Sequence, residues 1–333
     1  MSPSPSPLRS ETPCAVCAGQ DIETVARKDR EGRALHSVLC RQCGLVRVEP
    51  LPSAAAMAAF YADHYRQAYK GAHQPKPKHC HRQTLGAIER AEALLPMLRP
   101  GMRLLDVGAG AGFFPYVLKR RGILVDGIEP NAGYARFGRE QLGVDTLRTG
   151  FLHEWQPDTP YDLITIHHVF EHLPEPREAL RQLRALLAPT GRVLMEVPNI
   201  EATYHAPGHV FHIGHLHWFN PATLQALVRQ EGFAVASLRL VPRTAHLAIE
   251  LRRSDESAGA EEISALLDGN AERVRTLLRR HTWLSHYLGP TPYRRLARKA
   301  RQYAEERLRV RGQPNGRAIC DALCEAWLRD SSD

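Results

Sequence analysis

The sequence predicts an α/β protein: a parallel sheet flanked by helices, with a small cysteine-rich ribbon before it and a helical extension after it. Three observations carry this. Between residues 101 and 252 short apolar runs alternate with helical periods, the pattern of strands joined by crossover helices. Two C-x2-C pairs lie within the first 50 residues. Residues 253–333 carry helical spacing, and residues 271–311 hold twelve Lys or Arg against three Glu.

Residues 1–12 read as a disordered tail. The opening MSPSPSPLRSETP has no apolar stretch of the kind a secretion signal needs, so the expected compartment is the cytoplasm. Residues 13–50 read as a ribbon. Cys14 and Cys17 form one C-x2-C pair, Cys40 and Cys43 the other. Each pair can grip one ion from one side, and four thiolates complete a tetrahedral Zn²⁺ shell with no open position, which makes such a zinc structural. Reduced thiols or a redox pair are the alternatives. Gly19 and Gly44 follow the pairs, where a turn calls for positive φ. Ile22–Ala26 and Ala34–Leu39 are the expected strands. Cys80, Cys320 and Cys324 are left over, and an odd count argues against a disulfide scaffold.

Residues 51–100 read as a helical linker or lid. Phe60, Tyr61, Tyr65 and Tyr69 make an aromatic stripe that either packs on the main domain or, through Tyr65, covers a bound cofactor. Residues 71–83 read as a polar, Pro-containing loop, and a helix is expected over Leu85–Leu98.

Residues 101–252 hold the βα units. The expected strands are Met102–Val107, Ile123–Ile128, Val144–Leu147, Leu163–Ile166, Arg192–Val197, Ala234–Leu240 and Ala245–Leu251. Between them lie helices at Phe113–Arg121, Ala132–Leu142, Arg177–Leu187 and Pro221–Gln230, the last with Asn220 as N-cap and Pro221 at its first position. A parallel sheet of this kind binds its ligand at the strand C-termini. Gly108, Gly110 and Gly112 follow the first strand, and Phe113 occupies the last Gly of the dinucleotide fingerprint G-x-G-x-x-G. Residues 253–333 read as basic helices at Glu261–Leu288 and Tyr293–Arg309, with a shorter one at Ala318–Leu328.

Asp106 stands two residues before Gly108, and D-x-G-x-G-x-G resembles motif I of class I S-adenosylmethionine (SAM) methyltransferases. The series DVGAGAG, GIEPN, RTGFL, YDLITIHHVFEHLPEP and GRVLMEVPN follows the pattern of that family in order. The resemblance implies a seven-stranded Rossmann-like SAM methyltransferase sheet ending in a hairpin with an antiparallel last strand. It implies SAM as cofactor and S-adenosylhomocysteine as product. Gly108, Gly110 and Gly112 would make room for the methionine part, with Asp106 near its amine. Glu129 would accept the ribose hydroxyls, Phe151 and Leu152 flank the adenine, and His167 line the cleft.

Methyl transfer to oxygen or nitrogen needs an in-line nucleophile and commonly a base, for which His suits neutral pH. His168, Glu171 and His172 follow the fourth strand and are candidate catalytic residues; a loop-structuring role is the alternative. A related quinone-biosynthesis O-methyltransferase family holds a divalent ion with Glu-x-x-Glu-His here, but His168 replaces the first carboxylate. After the fifth strand comes HVFHIGHLHWF, with His209, His212, His215 and His217. This chain is similar over residues 10–250 to zinc-containing sugar and natural-product methyltransferases. C-methylating members of that family carry Tyr-x-Glu-His where His212, Gly214 and His215 stand. His215 matches, so it joins the catalytic candidates, while the missing Tyr and Glu favour O- or N-methylation over sugar C-methylation.

A hydrophobic share of 43% and a charged share of 24% suit a globular protein, and no apolar run is long enough to span a bilayer. The net charge of +8 permits an anionic partner. The expected substrate is a small-molecule acceptor such as a sugar, natural product or glycan precursor, anionic or nucleotide-linked. The alternative is an RNA base methyltransferase that uses the ribbon and basic helices on RNA. A membrane partner is not expected, and the oligomer is read as monomer or homodimer.

Overall fold

The structure, a computed structural model, describes residues 8–60, 75–242 and 244–330. The aromatic stripe at Tyr61, Tyr65 and Tyr69 lies outside the described residues. The strands are β1 (Leu8–Arg9), β2 (Asp21–Lys28), β3 (Ala34–Cys40), β4 (Val46–Val48), β5 (Leu104–Val107), β6 (Val125–Glu129), β7 (Leu147–Thr149), β8 (Tyr161–His167), β9 (Leu187–Val197), β10 (His217–Trp218), β11 (Phe233–Leu240) and β12 (Leu247–Arg253). The chain divides into two compact units. One takes Met1–Ala54, His167–Ala185 and Arg192–Arg294; the other takes Ala55–Ile166, Leu186–Gly191 and Arg295–Asp333.

In the first unit β1, β2, β3, β4 and β10 form an antiparallel sheet. Its last strand comes from the histidine-rich segment: His217 pairs with Arg47 and Trp218 with Val46. The cysteine pairs lie in the turns beside β2 and β3. Gly44 has φ 81°, as expected, but Ala18 at φ 57° takes the left-handed turn in place of Gly19. A Cβ at Gly19 would stand 2.0 Å from Gln42 Oε1, the end of a flexible side chain that can move aside, and 3.2 Å from Cys17 Sγ. The expected helix over Glu261–Leu288 is three helices, Ala260–Leu267, Asn270–Arg280 and Trp283–Leu288. Gly269, at φ 63°, breaks the first junction, and Thr282, which caps Ser285 N, starts the last helix. Asn270 fastens the second helix to the ribbon: its Nδ2 donates to Cys43 O at 2.7 Å, and its Oδ1 accepts from Asn220 Nδ2 at 2.7 Å.

The second unit holds β5, β6, β7 and β8, all parallel, and every side chain of β5 is buried. Helix Phe113–Arg120 follows the Gly-rich turn. Helix Ala132–Leu142 is capped by the Asn131 side chain, which accepts from Tyr134 N–H at 3.0 Å. A helix spans Pro77–Leu94, where a loop was expected up to residue 83; Pro77 stands at its first turn, a position in which its missing N–H costs nothing. Cys80 and His81 are buried on that helix, and Thr84 Oγ1 lies 3.1 Å from Cys320 Sγ of helix Gly316–Asp330.

β9 belongs to both units, and the strand order through it is β11-β12-β9-β8-β5-β6-β7. β12 runs antiparallel to β9 and β11, which gives the expected terminal hairpin on a Rossmann-like, mostly parallel sheet. The order reverses at β5, the switch point where such sheets open a crevice for ligand. Among the described residues no helix is long and apolar enough to cross a membrane.

Candidate active site

The crevice residues of the second unit are held before any ligand arrives. Gly108, Gly110 and Gly112 have φ of 72°, 59° and 75°, so the turn after β5 uses a left-handed conformation that other residues adopt only with strain. That turn presents the Gly110 N–H to Glu129 Oε2 at 2.9 Å, while Asn131 N–H donates to Glu129 Oε1 at 3.0 Å. A buried carboxylate is thereby fixed at the end of β6. Gly150 N–H donates to the Glu129 carbonyl at 3.1 Å, which anchors the next residue, Phe151. Leu152 is buried at the start of a short 3-10 turn, and Phe151 stacks on His153 at 5.6 Å.

Asp106 is 5% exposed and accepts from Thr165 Oγ1 at 2.7 Å. Burial pushes its carboxyl up to about 6; the Thr165 hydrogen bond opposes this and the Glu129 charge adds to it. A buried acid held this way gains from a cationic partner, which an amino-acid-like ligand supplies. His167 closes β8 and is half-buried.

In the first unit the candidates just past β8 meet the histidine-rich loop. His168 has φ 56°, a conformation that strains a non-Gly residue and persists where surrounding contacts hold it. Its N–H donates to the Glu196 carbonyl at 2.8 Å, and its Nε2 lies 3.0 Å from Glu196 Oε1. Glu196 also lies 3.2 Å from His246 Nδ1, and the two rings meet edge-on at 4.7 Å. Burial alone would depress His168, but the Glu171 and Glu196 carboxylates outweigh it and hold it at about 9.

Glu171 is 1% exposed, and among the described residues neither of its carboxylate oxygens receives a hydrogen bond. Its Oε1 stands 3.6 Å from His168 Nδ1, 3.8 Å from His172 Nε2 and 3.7 Å from His215 Nε2. His172 Nδ1 is hydrogen-bonded to the Gly214 carbonyl. Burial pushes His215 well below the usual imidazole range, with the neighbouring His172 adding to the effect, and holds His212 at about 3.

The four histidines of the loop thus part company. The His212 and His215 rings meet at a tilt with centroids 3.7 Å apart, and both lie beside His172. His209 is exposed and meets Trp283 edge-on at 6.0 Å. His217 lies buried in β10, where burial holds it at about 3. Glu196 and His246 were not singled out from the sequence. The signal was a lone carboxylate between Met195 and Val197, two core residues of an alternating strand.

The four cysteines suit a metal. All are free thiols, the Cys14–Cys43 and Cys17–Cys40 sulfurs stand 3.5 Å apart, and all four sulfurs lie within 4.8 Å of one another. That separation is far beyond the ~2.05 Å of a disulfide. It is close to the roughly 3.7 Å edge of a tetrahedron of thiolates about 2.3 Å from Zn²⁺.

A family model described as a methyltransferase domain matches residues 78–238. The chain is 33% identical over 112 residues to a ubiquinone biosynthesis O-methyltransferase of Aeromonas salmonicida, covering 30% of this chain and 44% of that protein. It is 36% identical over 105 residues to a protein-L-isoaspartate O-methyltransferase of Methylorubrum extorquens, covering 30% and 43%. The chain therefore spans less than half the length of these relatives. Among solved structures it is similar to the glycopeptide N-methyltransferase MtfA in complex with SAM, with a TM-score of 0.42, 18% identity, and coverage of 50% of this chain and 94% of that one. The CcbJ methyltransferase of Streptomyces caelestis aligns with a TM-score of 0.43 and 15% identity, covering 60% and 96%.

Proposed function

We propose, from the match of residues 78–238 to a methyltransferase domain, that this protein is a SAM-dependent enzyme that methylates an oxygen or nitrogen of a small-molecule acceptor. The observation that carries the reading is the pinned pair of carboxylates in the crevice, Glu129 tied to Gly110 and Asn131 and Asp106 to Thr165. In this reading Glu129 accepts the ribose hydroxyls and Asp106 pairs with the amine of the amino-acid tail. When bound, SAM supplies a sulfonium-activated methyl group. Phe151 and Leu152 offer an apolar wall for the adenine.

The chain's own part in the reaction is to bind, orient and deprotonate the acceptor. His168 leaves β8 three residues after Thr165, so a single stretch of chain carries both a cofactor-side residue and a cluster residue. His168, held at about 9, is protonated near neutral pH and orients the buried cluster, in which Glu171, His172 and His215 take the proton that the acceptor loses. The four-cysteine ribbon holds structural Zn²⁺; it shares its sheet with β10 and so fixes the end of the loop that carries His215.

The small-molecule reading is favoured over RNA because part of the basic segment is already engaged. Arg273 pairs with Glu201 at 2.9 Å and Arg275 with Glu23 at 2.8 Å. The test is transfer of labelled methyl from SAM to a panel of sugar, amine and phenol acceptors, run beside a structured RNA. Label in a small molecule supports the proposal; label in RNA alone refutes it.

A further inference from the structure

We propose that the exposed face of helix Thr291–Val310 is a docking surface for a membrane leaflet rich in anionic lipid. A surface helix of a globular protein usually buries its apolar stripe and turns its polar side to water. Here the polarity is reversed. From Leu296 onward the helix belongs to the second unit, and the residue it buries there is an acid. Glu306 is 4% exposed; it accepts from Arg82 Nε and Nη2, each at 2.8 Å, and from Gln302 Nε2 at 2.7 Å. This ion-paired anchor sets the rotation of the helix and so decides which side faces solvent.

The side left in solvent is apolar. Residues four apart fall on one row of a helix. Leu296, Ala300, Ala304 and Leu308 make such a row, and all four are exposed, Leu296 at 68% and Leu308 at 73%. Tyr303 and Arg307 stand on the row to one side, with Arg311 just past the helix end. Ala297, Arg301, Glu305 and Arg309 stand on the row to the other. These flanking residues are exposed as well. An aliphatic stripe roughly 18 Å long thus runs between two arginine-bearing rows.

The charge says what covers the stripe. Residues 291–311 carry eight Lys or Arg against two Glu, and both carboxylates are engaged, Glu306 by Arg82 at 2.8 Å and Glu305 by Arg301 at 2.7 Å. Apolar side chains in the middle and cations at the edges match the boundary between acyl chains and anionic headgroups. Leu and Tyr enter the boundary, and the arginines reach the phosphates on long apolar stems. A nucleic acid would leave Leu296 and Leu308 unused, because aliphatic side chains do not stack on bases. A second copy of this chain would set arginine rows against arginine rows. A helix lying flat on a bilayer needs no spanning run, so this surface departs from the expectation of no membrane partner. It stands apart from the reaction proposed above.

The full-length protein is sedimented with large unilamellar vesicles, either of phosphatidylcholine alone or of phosphatidylcholine and phosphatidylglycerol in equal parts. Binding to the mixed vesicles should be at least about tenfold tighter than to the neutral ones and should weaken as salt rises. Leu296→Gln with Leu308→Gln should weaken it about tenfold or more, as should Arg307→Gln with Arg311→Gln. All four positions face solvent and Gln is a good helix former, so far-UV circular dichroism and Tm should match the wild type. A wild type that ignores the mixed vesicles, or binds neutral ones equally well, overturns the proposal. A leucine variant that binds as tightly as the wild type also overturns it, marking plain electrostatic adsorption. Two further results would reassign the face and overturn the proposal. One is tighter binding to a structured RNA that the arginine variant loses. The other is a wild-type dimer, seen by analytical ultracentrifugation without lipid, that the leucine variant dissociates.

Discussion

His168 is joined to Glu196 twice, by its backbone N–H to the Glu196 carbonyl at 2.8 Å and by its ring Nε2 to Oε1 at 3.0 Å. The double tie holds a residue at φ 56° and explains how a strained backbone survives at the exit of β8.

A strained position kept for function is expected to separate stability from activity. His168→Gly relieves the positive φ, so Tm should change by no more than about 5 °C. Turnover should fall about tenfold or more, because the cationic ring that orients the cluster is lost, with SAM affinity unchanged. Differential scanning fluorimetry and the methyl-transfer assay check this. Loss of folding in parallel with activity would mark His168 as structural.

Glu196 acts through His168 and is a positioning residue. Glu196→Ala should lower kcat at least tenfold with little change in KM for SAM, and Glu196→Gln, which keeps the hydrogen bond to the ring, should recover part of it. Equal losses in both variants would contradict that role.

Asp106 gives a pH signature. Its folded pKa, about 6, lies above the usual carboxylate value, so the folded state holds this proton more tightly than the unfolded chain. The associated stability is full below about pH 4 and is lost as pH rises through about 6, on the order of 2–3 kcal/mol for a shift of this size. Asp106→Asn should therefore raise the Tm of the unliganded protein at pH 7.5 and leave it unchanged at pH 4. SAM binding should reverse the preference, because an ammonium partner favours the ionised acid; wild-type affinity should rise from pH 5 to 7. A flat profile would remove Asp106 from the cofactor site.

Much of the sheet was legible because it rests on local signals. The Gly-rich turn, the alternation of apolar runs and the Asn220-Pro221 helix start each lie within a few residues. What escaped depends on distant segments. Two-residue β10 exists only because β4 offers it an edge, so nothing in His217–Trp218 alone announces a strand. Glu196 and His246 meet because antiparallel register sets Leu247 against Val197 and Ala248 against Glu196. The loop expected at residues 71–83 fell to the opposite error: Pro77 was read as a breaker where it begins a helix. The histidine string looked like one feature, yet its members go to solvent, to the Glu171 cluster and to the ribbon sheet according to the turns between them.

The ribbon should behave as a zinc module. Cys14→Ser should lose the cysteine-site zinc, measured by elemental analysis, and lower Tm by roughly 5–10 °C, as for a loss of about 3 kcal/mol. A fully stable variant that keeps the same metal content would refute a structural zinc.

The most direct test of the central claim is calorimetric titration of SAM into the wild type and Glu129→Ala. The account predicts saturable one-to-one binding, competed by S-adenosylhomocysteine and weakened about 10–100-fold in the variant, the range for losing hydrogen bonds to a charged group. A wild type that takes up no SAM, or a variant that binds it equally well, would contradict it.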